Sequence, residues 1–139
     1  MQRLVAQVVD ERMRSVGLTN AQLRAILHLN HQEGVSQVHL SEEMGIKKAS
    51  LGVLLERLEE KDLVLRRADP NDRRANLIYL SDKAKGLLEP IYENGAAVMN
   101  DLMAGLNTAE QKQLVSLLLR IKTNAQNLSQ NSATNGSAK

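Results

Sequence analysis

Asp69-Pro-Asn-Asp-Arg-Arg-Ala-Asn-Leu-Ile-Tyr-Leu-Ser81 is the stretch that decides how this chain folds. Asp69, Pro70, Asn71 and Asp72 are turn formers, because proline presets φ and Asx side chains bond their own backbone. Two adjacent arginines follow, then a short β-type run, then Ser81 as a helix cap. Just upstream, residues 46–65 pattern as an amphipathic helix running into Leu63-Val64-Leu65, a second β-type run. Helix, strand, basic turn, strand, helix is the outline of a winged helix-turn-helix. The expected fold is mainly α with a small β-wing. In that fold a helix enters the major groove while arginines of the wing reach the backbone or minor groove.

The flanking segments read as helices. Residues 3–14 place Leu4, Val5, Val8, Val9 and Met13 at helical spacing, and Gly17 ends that run. Thr19 with Gln22 matches a capping box, and Leu23, Ile26, Leu27 and Leu29 give the next helix its buried side. Glu33-Gly34 closes it. Val38, Leu40 and Met44 mark a short third helix with Ser36 as its cap, and Gly45 permits the tight turn that follows. The helix from about Lys47 to Lys61 carries Leu51, Leu54, Leu55 and Leu58 on one face. Beyond the wing, Ser81 caps a long helix through about Ala104, with a kink expected at Pro90, which removes a backbone hydrogen bond. Thr108 with Gln111 opens a last helix bearing Leu114, Leu117, Leu118, Ile121, Ala125 and Leu128.

These readings divide the chain into dimerisation helices at 1–17 and 82–128, a winged helix-turn-helix at 18–81 and a tail at 129–139. The tail, composed mostly of Ser, Asn, Gly, Ala and Thr, is expected to be disordered. The aliphatic stripes outside the winged core exceed what so small a domain can cover, so pairing with a second copy is expected. The candidate interface residues are Leu4, Val8, Leu114, Leu118 and Ile121; packing within one chain is the alternative.

Charge is distributed unevenly. The 139 residues hold 18 basic and 16 acidic side chains, a net charge of +2. Residues 47–85 alone hold ten basic against seven acidic groups, which suits contact with phosphates. An ordinary solvated charged surface is the bland alternative. There are no cysteines, which excludes disulfides, thiolate metal sites and a thiol redox sensor. No apolar run reaches the length of a membrane span, and the first residues lack a signal-peptide core, so a cytoplasmic protein without a membrane partner is expected.

The residues placed so far resemble the MarR family of bacterial transcriptional regulators, near its SlyA-like members. The resemblance covers about residues 4–128. It rests on Leu18-Thr19, the Leu40…Met44-Gly45-Ile46 turn, Arg57-Leu58-Glu59-Glu60-Lys61 before Leu63-Val64, and Asp72-Arg73-Arg74 before Leu80-Ser81. The Asp-x-Arg of Asp72 and Arg74 is its most distinctive element. The resemblance implies a dimer, a repressor, that binds pseudo-palindromic operators and is released by a small anionic lipophilic ligand such as a phenolic acid. Four positions depart from the family's habit: Gly52 and Val53, where hydroxyl and basic residues are common, Asp62, where glycine is common, and Leu23, where an aromatic residue is common.

Double-stranded DNA is thus the expected partner, with Ser36, Lys47, Lys48, Ser50, Val53, Arg57, Asp72, Arg73 and Arg74 as candidate contacts. Lys47 and Lys48 suit phosphates at the helix start. Ser50 reads either base type, Val53 suits a thymine methyl, and only Arg57 offers bidentate base contact. Arg74 is the candidate for minor-groove insertion, oriented by a carboxylate–guanidinium pair with Asp72, and Arg73 for phosphate. Direct readout therefore looks thin, and DNA shape is expected to contribute. His28, His31 and His39 lack zinc-ligand spacing, so neither metal nor cofactor is expected. No phosphate loop, nucleophile elbow or paired-carboxylate context points to an enzyme. The alternative function is a winged-helix protein-interaction module with little sequence-specific DNA binding.

Overall fold

The computed structural model describes residues 1–135 and divides the chain into two compact units, Met1–Met99 and Asn100–Lys139. The elements in chain order are α1 (Gln2–Met13), a 3-10 turn (Arg14–Val16), α2 (Asn20–His31), β1 (Val35–Ser36), α3 (Gln37–Met44) and α4 (Lys48–Glu60). They continue with β2 (Val64–Ala68), β3 (Asn76–Leu80), α5 (Asp82–Gly86), α6 (Leu88–Leu102) and α7 (Thr108–Asn135). The chain is mainly helical with one small antiparallel sheet of order β1-β3-β2.

Local chemistry sets these boundaries. Thr19 and Gln22 form a complete capping box: Thr19 Oγ1 accepts from the Gln22 N–H, and Gln22 Oε1 accepts from the Thr19 N–H, both at 3.2 Å. Ser36 caps α3 by accepting from the His39 N–H at 3.2 Å. Gly45 ends α3 at φ +65°, a left-handed conformation that glycine adopts without a Cβ penalty, and so turns the chain into α4. Leu51, Leu54, Leu55 and Leu58 of α4 are buried against Ile26 and Leu29 of α2 and Leu40 and Met44 of α3 in one core. Full burial of each leucine contributes about 1.5–3 kcal/mol. Val38, by contrast, faces outward on α3.

The sheet joins wing to core. β2 and β3 pair from Val64↔Leu80 to Ala68↔Asn76, with Val64, Ile78 and Leu80 buried. Strand β1 is absent from the sequence reading. Its two residues are too short for any periodicity, and it forms only because Val35 pairs with Ile78 far along the chain. Gly34 beside it is held at φ +72°, and a Cβ there would stand 3.0 Å from the Tyr79 hydroxyl. Asp62 has φ +57°, the left-handed turn between α4 and β2 that the glycine expected there would adopt freely. Ser81 fastens this turn: its hydroxyl donates to the Asp62 carbonyl at 2.6 Å and accepts from the Ala84 N–H at 3.0 Å.

Two expectations change. The helix after Ser81 is not continuous, because α5 stops at Gly86 and α6 starts at Leu88. The interruption falls at Leu87, ahead of Pro90, because a proline has no N–H for the carbonyl four residues back and its ring crowds that carbonyl, here Gly86. The second change concerns the tail. α7 continues through residues 129–135, where disorder was expected. That stretch contains neither proline nor glycine, so the hydrogen-bond ladder of the preceding helix propagates. The last four positions of the expected tail, 136–139, lie outside the described residues.

Candidate nucleic-acid interface

The interface is built on α4 and the β2–β3 wing. Lys47 is the N-cap residue of α4 and makes no side-chain cap, and no acidic residue lies in the first turn. The first N–H groups of the helix therefore keep their partial positive charge, flanked by the exposed ammonium groups of Lys47 and Lys48. Such a helix start suits a phosphate. Leucine packing turns Ala49, Ser50, Val53, Glu56 and Arg57 outward, and Val53 keeps half its surface, 50 %, in solvent. Ser36 is half-buried, and its hydroxyl is already engaged as the α3 cap.

The wing tip is closed by its own backbone. The Asp69 N–H donates to the Ala75 carbonyl at 2.9 Å, and the Ala75 N–H to the Asp72 carbonyl at 3.0 Å. The carboxylates of Asp69 and Asp72 complete the turn by accepting from the N–H groups of Asn71 at 2.8 Å and Arg74 at 2.9 Å. Asp72 thus holds the Arg74 backbone, where sequence reasoning paired it with the guanidinium. An Asx turn needs only a two-residue reach, which is why it forms here.

The four arginines of this segment separate into two pairs. Arg66 Nε lies 2.9 Å from Glu59 Oε1, tying β2 to α4 through charge and proximity, although the N–H is not aligned for a hydrogen bond. Arg67 stacks on the Tyr79 ring, 5.3 Å from its centroid, a cation–π contact. Arg73 and Arg74 at the tip are exposed, and neither guanidinium has a partner among the described residues. The sequence offers no way to rank these four; the strand register does, since it sends Arg66 and Arg67 onto neighbours and leaves the turn arginines outside.

One residue absent from the expected contacts stands beside α4. Gln37, the first residue of α3, places Nε2 at 3.4 Å from the Lys48 carbonyl oxygen. The same nitrogen lies 3.4 Å from where a Cβ on Gly52 would be. No local pattern in the sequence links residues 37 and 52.

Other expected residues fall elsewhere. Leu4 on α1 and Leu118 and Ile121 on α7 are exposed, while Val8 and Leu114 are half-buried. His28, His31, His39 and Glu43 line a cavity of about 30 Å³ between α2 and α3, with His28 Nδ1 4.0 Å from Glu43 Oε2. Among the described residues, no group of three or more His, Cys, Asp or Glu is arranged to hold a metal ion. An open groove of about 660 Å³ is lined by Arg3, Val5, Ala6 and Val9 of α1 and Asn20 and Arg24 of α2. No helix among the described residues is long and apolar enough to cross a membrane.

Comparison with known proteins bears on this geometry. A family model described as "MarR family" matches residues 16–75, the stretch from the end of the 3-10 turn to the wing tip. YdgJ of Bacillus subtilis (strain 168), an HTH-type transcriptional regulator, is 28 % identical over 112 residues, covering 81 % of this chain and 68 % of that protein. The transcriptional repressor CouR, solved bound to a 23-mer DNA duplex, is similar in structure with a TM-score of 0.81 and 27 % identity, covering 87 % of this chain and 86 % of that one. A MarR transcriptional regulator from Methanosarcina mazei Go1 shares the fold with a TM-score of 0.86 at 19 % identity, covering 91 % of each chain.

Proposed function

We propose that the chain is a transcriptional regulator of the MarR family, and that it acts as a homodimeric repressor binding pseudo-palindromic double-stranded DNA. The observation that carries this reading is the wing tip. Arg73 and Arg74 are held on a rigid turn with their guanidinium groups unpartnered among the described residues, while Arg66 and Arg67 beside them are engaged within the protein. Two unpaired cations on a fixed turn suit the phosphates or the minor groove of a duplex, where negative potential is concentrated. The uncapped start of α4 with Lys47 and Lys48 supplies a second anion site in the same lobe. The other candidate contacts, Ser50, Val53, Arg57 and the capping hydroxyl of Ser36, lie on or beside the helix that would enter the major groove. Asp72 serves this reading indirectly, by fixing the turn.

The dimer is supported by apolar surface. Leu4 is 67 % exposed on α1, and α7 exposes Leu118 and Ile121 at 50 % and 63 %. Side chains of this kind on two helices suit burial against a second copy. Light scattering behind size exclusion at micromolar protein is expected to give the dimer mass.

The α1–α2 groove supports control by a small lipophilic acid. Arg3 and Arg24 offer charge for its carboxylate, and Val5 and Val9 offer an apolar wall. Release of DNA requires that such a ligand prefer the non-binding conformation. Titrating salicylate-like acids against a preformed protein–DNA complex tests this; no release by any of them removes the ligand from the mechanism.

The primary test is retardation of a random duplex pool in a gel at low and at physiological salt. A shift by the wild type that is weakened in Arg73→Ala/Arg74→Ala is expected. No shift at either salt concentration would favour a winged-helix module that binds protein instead.

A further inference from the structure

The outward face of α4 is poor in groups that read bases. It presents Ala49, Ser50, Val53 and Glu56, with Arg57 late in the helix. Gly52 contributes no side chain, and Gln37 takes the space beside it. The Gln37 carboxamide nitrogen stands 3.4 Å from the point a Cβ of residue 52 would occupy. Its one hydrogen bond, to the Lys48 carbonyl oxygen, is 3.4 Å long and therefore weak. The second N–H of the carboxamide and its Oε1 make no bond among the described residues, and the side chain is half-buried, so part of it is open to solvent.

We propose that Gln37 is a specificity-determining residue, whose carboxamide lies over Gly52 and reads an adenine edge in the major groove. The inference rests on the DNA-binding reading above. A carboxamide offers one donor and one acceptor side by side, which match adenine N7 and N6–H. α3 thus lends α4 the base-reading group that α4 lacks at position 52. Gly52 is the permissive half of the pair, because any long side chain there takes the place of the carboxamide. Ser36, immediately before Gln37, caps α3 and so fixes the backbone from which the glutamine extends. A Gln37 that only braces α3 against α4 behaves differently: its removal weakens binding to every sequence alike and leaves base preference unchanged.

The test is selection from a random duplex pool at one fixed salt concentration, with the full chain, for wild type, Gln37→Ala, Gln37→Glu and Gly52→Leu. The wild type is expected to select one A·T pair per half-site whose replacement costs about tenfold in affinity. Gln37→Ala loses that preference alone, with affinity for random duplex within about twofold of wild type, since phosphate contacts supply that term. Gln37→Glu moves the preference toward cytosine, whose N4 amino group donates to a carboxylate. Gly52→Leu loses the same preference with Gln37 intact. A Gln37→Ala protein that selects the same bases with the same discrimination overturns the inference alone, as does a uniform loss across all positions. A wild type that selects no sequence overturns the DNA-binding reading and this inference with it.

Discussion

Replacing Gly52 by alanine is expected to stabilise the protein, and the structure gives the size of the effect. Gly52 lies inside α4 with helical backbone angles. Glycine in a helix interior is less favourable than alanine by about 1 kcal/mol, because more backbone freedom is lost on folding. An added Cβ meets a single neighbour, Gln37 Nε2 at 3.4 Å, which is ordinary contact with the far end of a flexible side chain. No packing cost offsets the gain, so about 0.5–1 kcal/mol of stabilisation remains. For 139 residues the unfolding entropy is about 0.3 kcal/mol/K, so the midpoint rises by about 2–3 °C. Thermal unfolding followed by far-UV circular dichroism measures this, at one fixed protein concentration because a dimer's midpoint depends on concentration. A urea titration with an unchanged slope would show that the denatured state is unaffected. A midpoint lowered by about 2 °C or more would refute the reasoning, since it would mean that α3 and α4 approach too closely at Gly52 to admit one methyl group.

Three further perturbations test the turns and the wing. Asp62→Gly relieves a non-glycine residue at φ +57°, and urea unfolding is expected to show about 0.5 kcal/mol of added stability; a decrease would give the Asp62 carboxylate a structural role. Ser81→Ala removes both the α5 cap and the donor to the Asp62 carbonyl, at a cost of about 1–2 kcal/mol in the same assay. Arg73→Ala with Arg74→Ala is expected to lower the slope of log affinity against log salt by about 0.9 for each phosphate that is no longer neutralised; an unchanged slope removes the wing from the mechanism.

Much of the winged core is legible in sequence because its determinants are local. The Thr19–Gln22 box, the Ser36 and Ser81 caps and the Gly45 turn each act over a span of four residues or fewer. The leucine spacing of α4 likewise fixes its buried face. What escapes the sequence is non-local. β1 exists through pairing with Ile78, and Gly34 is constrained by Tyr79. The division of labour among Arg66, Arg67, Arg73 and Arg74 depends on which side chains the sheet register brings to Glu59 and Tyr79. The Gln37–Gly52 contact joins two helices and has no periodic signature. Composition misleads at residues 129–135, where polar residues of moderate helix propensity continue α7.

Sequencing the duplexes retained by the protein from a random pool at physiological salt tests the central claim most directly. A dimer presenting two winged lobes is expected to enrich an inverted repeat whose half-site centres lie about one helical turn, roughly 10 base pairs, apart or a multiple of that. Enrichment of a single unrepeated half-site, or no enrichment over the starting pool, would contradict it.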